Sequence, residues 1–307
     1  MIDLDILGKV FSFVWKQTEK GDNARMAKLP LPDGICEDNN HSYIDDGTWQ
    51  HKIDVYYPEN FSGKLPVVVD IHGGGWMYGS KELNKPYCLY LAAKGCVVFN
   101  MSYRLVPDVG MADQLYDVSH AFKWIYENLD NYPCDKSRIY LTGDSAGGQL
   151  SSFAAVLSQT PTLAEKFGFV SSGLRFAAVC LTSPVCYMAS DGPMSIYTKY
   201  TLGKDYKTAA YKDYLNFDSL LTIGTMPPTV LITSSGDFLA RKQTNMAYNA
   251  LRAKGITAKL YDWEKTDGKH LPHVFAVIAP ESKEGQKAIN DMFNFFAQFS
   301  ADKVAET

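Results

Sequence analysis

No stretch of this chain is basic enough to track a phosphate backbone, and the formal net charge is −4 over 307 residues. That excludes a nucleic-acid binder, whose affinity rests on clustered Lys and Arg contacts to phosphates. No window approaches the roughly 18 consecutive apolar residues of a membrane span, so no membrane insertion is expected. The opening MIDLDILGKVFSFVWKQTEKGD lacks the basic end of a secretion signal, and the apolar run Val10 to Trp15 is too short for its hydrophobic segment. Cysteine pairs at metal or redox spacing are missing too. Cys36, Cys88, Cys96, Cys134, Cys180 and Cys186 are scattered through a chain that needs no staples, which reads as reduced thiols in a cytoplasmic protein. There are no internal repeats.

What is present suits one sizeable globular domain with a large core, at 46% apolar and 21% charged residues. Residues 2–15 carry apolar side chains at helical spacing, and 28–40 (KLPLPDGICEDNN) read as a connector because of their prolines, glycine and polar cluster. From residue 51 strands alternate with helices. Strands are expected over 52–57, 65–71, 96–102, 138–142, 176–182, 229–234 and 257–263, and helices over 111–129, 146–158, 241–254 and 285–299. Such alternation implies an α/β fold, a mostly parallel sheet covered by helices on both faces. Between Pro184 and Pro228 the rhythm breaks in a segment rich in tyrosine (Tyr187, Tyr197, Tyr200, Tyr206, Tyr211, Tyr214), expected to lie as a lid over the carboxyl ends of the strands.

The strongest motif is LTGDSAGG, residues 141–148, a G-x-S-x-G between an expected strand and helix. That turn exposes a serine hydroxyl at the top of the sheet, which makes Ser145 a candidate nucleophile. A second glycine cluster, HGGGWMYG from His72 to Gly79, also follows a strand. Acyl transfer builds negative charge on a carbonyl oxygen, and backbone N–H groups aimed at it stabilise the transition state by roughly 3 kcal/mol per donor. Gly74 and Gly75 are the expected donors here, with Ala146 after the nucleophile as a third, while His72 is expected to shape the loop. The rival glycine-loop readings fail on single residues. Lys81 follows Ser80 where a phosphate loop needs Lys before Ser, and Tyr78 stands where a dinucleotide fingerprint needs glycine.

A serine nucleophile needs a base and an orienting acid in the order Ser, Asp or Glu, His. Only His270 and His273, in HLPHVF, lie beyond Ser145, and both remain candidates from position alone. No further Cys or His stands at ligand spacing, so neither metal nor cofactor is expected. Asp237, in the loop after the strand 229–234, is the candidate acid, with helix capping as its plainer role.

With these motifs in this order the chain resembles the hormone-sensitive-lipase-like branch of the α/β-hydrolases, the bacterial esterases with HGGG and GDSAGG signatures, from about Tyr43 to Phe299. The resemblance implies a triad of Ser145, Asp237 and His273. It also implies a cap from the N-terminal segment and an insertion after strand six, dividing the chain into 1–50 (cap and connector), 51–183 (core), 184–228 (cap) and 229–307 (core). The family's Tyr-Arg-Leu appears as Tyr103-Arg104-Leu105, but Val106-Pro107-Asp108 replaces Ala-Pro-Glu and Asp237-Phe238-Leu239 replaces Asp-Pro-Leu. Trp76 resembles the HGGxW loop of arylformamidases, so a formamide substrate stands beside the ester reading. Trp76 and Asp144 are the candidate substrate-binding residues. A small-molecule ester is the expected partner, a homodimer is left open, and a non-catalytic ligand-binding homologue is the rival from another class.

Overall fold

A computed structural model describes residues 4–188, 198, 200–201 and 212–300. Eight strands form one sheet in the order β1-β2-β4-β3-β5-β6-β7-β8. They are β1 (Ile35–Ser42), β2 (Lys52–Pro58), β3 (Leu65–Ile71), β4 (Val97–Met101), β5 (Cys134–Asp144), β6 (Ala178–Thr182), β7 (Thr229–Ser234) and β8 (Ala258–Trp263). The pairs β1/β2 and β2/β4 are antiparallel and every later pair is parallel.

The central strands are apolar at successive positions because both faces are covered. Val67, Val69 and Ile71 of β3 join one buried cluster while Val68 joins the other. On the first face lie α3 (Met111–Asn128), α4 (Ser145–Gln159) and the helix Arg241–Ala253; on the second lie α2 (Lys81–Ala92) and the C-terminal helix Lys283–Phe296. Ser282 caps that last helix, accepting from the Gly285 N–H at 3.0 Å. Its Ala288, Ile289, Met292, Phe295 and Phe296 recur on one face, where full burial of each large side chain contributes about 2 kcal/mol.

Two expectations are corrected. The segment 28–40, read as a connector, supplies most of β1, so the sheet begins inside the segment 1–50. Among the described residues this strand pairs only with β2, and it carries a bulge where Asn40 takes φ 68°, which is why its Asp and Asn residues hid it. Helix α2 was not expected at all, since Pro86 lies inside it. Yet β3 and β4 are parallel neighbours, and such a pair requires a crossover.

The N-terminal helix α1 (Leu4–Met26) runs well beyond residue 15. Of the lid tyrosines, Tyr197, Tyr206 and Tyr211 lie outside the described residues. Tyr187 forms a bridge with Asn216, and Phe217 and Leu220 are buried.

Candidate active site

Strand β5 ends at Asp144 and α4 begins at Ser145, with no residue between. The reversal places Ser145 at φ 51°, a left-handed conformation rare outside glycine. Its neighbours must be small. A methyl group on Gly143 would overlap the Ser151 hydroxyl and the Gly147 carbonyl, and one on Gly147 would overlap the carbonyls of Ile71 and His72. The first turn of α4 therefore sits directly against the end of β3.

Asp237 follows β7. Its Oδ1 accepts from the N–H groups of Leu239 (3.1 Å) and Ala240 (2.8 Å), and Thr233 Oγ1 donates to Oδ2 at 3.2 Å. His273 Nδ1 lies 2.9 Å from the same Oδ1, and His273 Nε2 lies 3.0 Å from Ser145 Oγ. Burial alone would raise the Asp237 carboxyl, but the hydrogen bond and charge of His273, with the Ala240 N–H, hold it below its ordinary value. An ionised carboxylate only accepts, so Nδ1 carries the imidazole proton and Nε2 faces the serine as acceptor. His270 is exposed and lies 2.8 Å from Ser235 Oγ, away from this relay. Ser234 Oγ donates to the Leu271 carbonyl at 2.7 Å, and a methyl on Gly236 would overlap that carbonyl, so the histidine loop is tied to the end of β7.

After β3 the chain passes through φ 101° at Gly74, 58° at Gly75 and 65° at Trp76. The Met77 and Tyr78 N–H groups close the turn on the Gly74 carbonyl at 3.1 and 3.0 Å. The turn is fastened to the end of β5, for Gly73 donates its N–H to Asp144 Oδ1 at 2.9 Å. Asn84 of α2 donates to that oxygen and to Asp70 Oδ2, both at 2.9 Å. Asp144, expected to meet substrate, borders the cavity but commits Oδ1 to this fastening. Trp76 is 1% exposed, its indole N–H donated to Gln149 Oε1 at 2.9 Å and its carbonyl held by Gln114 Nε2 at 2.9 Å. Burial pushes the His72 imidazole down to about 4. The neutral ring donates Nδ1–H to the Gly73 carbonyl at 2.7 Å and stacks on Tyr103 at 4.3 Å, shaping the loop as its position suggested. Asn84 and Gln114 carry no motif spacing and were not legible in advance.

Both glycine turns and His273 open on a cavity of about 400 Å³. Val185, Leu239, Val277 and Ile278 form apolar wall, and α1 adds Trp15, Thr18, Asp22 and Arg25.

A family model described as BD-FAE matches residues 53–197. The versiconal hemiacetal acetate esterase of Dothistroma septosporum is 30% identical over 256 residues, covering 76% of this chain and 74% of that protein. Esterase B from Lactobacillus rhamnosis superposes with a TM-score of 0.91 at 30% identity, over 97% of this chain and 96% of its own. The chain belongs to the hormone-sensitive-lipase-like esterases of the α/β-hydrolase fold. Carboxylesterase NlhH of Mycobacterium tuberculosis is 34% identical over 139 residues, so the match spans 44% of this chain and 43% of that protein.

Within this member of the esterase family, left-handed backbone gathers around the cavity. Trp76 (φ 65°), Ser145 (51°) and Val274 (50°) line it, and Ser183 (48°), just after β6, takes the same conformation. Non-glycine residues in that region cost on the order of 1–3 kcal/mol each and persist only where the surroundings over-determine them.

Proposed function

We propose that this chain is a serine carboxylesterase acting on small to medium acyl esters through an acyl-enzyme intermediate. The observation that carries the reading is the unbroken relay from Asp237 Oδ1 to His273 at 2.9 Å and from His273 to Ser145 Oγ at 3.0 Å, ending in the cavity. As Ser145 Oγ attacks the ester carbonyl, His273 Nε2 takes its proton, and ionised Asp237 stabilises the imidazolium. The oxyanion forms beside the N–H groups of Gly74, Gly75 and Ala146. His273 then returns the proton to the leaving alcohol, and water releases the acid by the same steps.

A cavity of about 400 Å³ suits a small-molecule ester. The N-terminal segment and residues 184–228 would act as the cap. The wall supplied by α1 supports this, as does the contact between the Phe11 and Tyr200 rings, with centroids 5.4 Å apart. Esterase B was solved with a tributyrin phosphonate inhibitor, which fits a serine nucleophile acting on short-chain esters. Trp76, on which the formamide reading rested, gives its indole N–H to Gln149, and no observation favours that reading.

Ser145→Ala decides the matter. It should lose at least about 10³-fold in p-nitrophenyl acetate hydrolysis and all labelling by a fluorophosphonate. Wild-type turnover by this variant would refute the mechanism, and faster turnover of N-formylkynurenine than of any ester by the native protein would move the substrate to formamides.

A further inference from the structure

Four side chains and one carbonyl form a bridge across the cavity wall that the relay does not use. Tyr78, at the end of the glycine turn, donates its hydroxyl to Asp22 Oδ2 of α1 at 3.2 Å. Arg25, one turn further along α1, donates Nε and Nη2 to Asp22 Oδ1 at 3.3 and 3.0 Å. Its Nη1 donates to the Ile278 carbonyl at 2.6 Å. Ile278 ends the short helix Phe275–Ile278, which starts two residues after His273. Trp15 stacks on the Tyr78 ring, centroids 5.5 Å apart and planes 15° apart. The bridge is partly withdrawn from water, with the Arg25 and Asp22 side chains 26% and 21% exposed.

The two ends of this bridge belong to the two loops whose separation matters most for an ester carbonyl. One end is the turn carrying Gly74 and Gly75; the other is the helix directly behind the base. Neither end is joined to the other by a sheet hydrogen bond, since the first follows β3 and the second follows β8, at the far edge of the sheet. We propose that Asp22 and Arg25 are positioning residues for ester hydrolysis, bracing the Tyr78 end of the oxyanion turn against the His273 helix so that the N–H donors stay in register with the relay. This rests on the serine-esterase reading above. The guanidinium suits the task because its planar fork reaches a carboxylate and a carbonyl at once, which an ammonium does with fewer donors. A lone surface ion pair would contribute little. This one fixes distances, and a displacement of about 1 Å at a reacting centre costs up to about 10²-fold in rate.

The test uses the full chain. Arg25→Met keeps the packing of the aliphatic stem and removes every donor. Expected is a fall of about tenfold in kcat for p-nitrophenyl acetate with KM within about twofold, and a parallel fall in the rate of fluorophosphonate labelling, since the oxyanion donors act in the transition state. Arg25→Lys should recover part of the loss, and Tyr78→Phe should lower kcat without adding to Arg25→Met, because both open the same bridge. A rise in KM with kcat unchanged would overturn the proposal, leaving α1 as a wall of the cavity only. So would full additivity of the two variants. If Arg25→Met fails to fold, an unchanged kcat in Tyr78→Phe overturns the proposal by itself. Ser145→Ala separates the two levels of failure: if it keeps activity the esterase mechanism falls, whereas if it is dead and Arg25→Met is normal only the bridge falls.

Discussion

On the serine-esterase reading proposed above, Asp237 is where protonation of a single side chain reaches both the chemistry and the fold. Its buried carboxylate is held below its ordinary value, so its contribution to stability is fully present above the unfolded value near 3.9 and is lost as pH falls through the lower folded value. Asp237→Asn would also place an amide against His273 Nδ1 and favour the wrong tautomer. We expect kcat to drop by about 10³- to 10⁴-fold while the variant stays folded at pH 7, and urea titrations should show its stability varying less with pH than that of the wild type on the acid side. This residue was legible in the sequence from its place after a strand and from the chain order Ser, Asp, His. The choice of His273 over His270 was not legible from position; the family resemblance implied it, and the structure sets His273, not His270, between Asp237 and Ser145.

Among elements, β3 holds an unusual group in Asp70. Burial, reinforced by the nearby Asp144 charge, raises the Asp70 carboxyl to about 8. A carboxyl protonated in the native state and ionised in the unfolded one favours unfolding increasingly as pH climbs from about 4 towards 8. Asp70→Asn should therefore raise Tm, with a gain that is small at pH 4 and grows up to pH 8; a constant gain would contradict this assignment. His51, just before β2, shows the same slope at higher pH. Burial would lower it, but Asp117 at 3.2 Å and Asp46 at 3.0 Å raise it, so the stability it contributes is present below about 6.5 and is lost as pH rises through the folded value. Replacing it with Gln should cost more Tm at pH 5.5 than at pH 8.5. The elements that escaped sequence reading have a common cause: β1 is an edge strand that need not be apolar, and α2 tolerates Pro86, so neither shows the period on which such reading depends. The Asp22–Arg25 bridge was invisible for the same reason, since the apolar pattern of α1 ended at residue 15 while the helix continues to Met26.

For the whole molecule, the sheet order sets the site and the wall from α1 sets its reach. A cavity of about 400 Å³ closed in part by Trp15, Val277 and Ile278 should give kcat/KM that peaks with short to medium p-nitrophenyl esters and collapses with palmitate. A flat profile out to sixteen carbons would mean that α1 does not bound the substrate. The fold class and the two glycine turns were readable because they obey strong local rules.

The hydrogen bond of 2.9 Å between the Gly73 N–H and Asp144 Oδ1 joins residues seventy-one positions apart. Because β3 and β5 must lie side by side before that bond can form, the glycine turn after β3 and the turn at Ser145 have no finished shape independent of each other. During refolding, esterase activity should thus return in one step with pairing of the central strands, and a fragment ending before β5 would carry the glycines without the geometry that gives them a use.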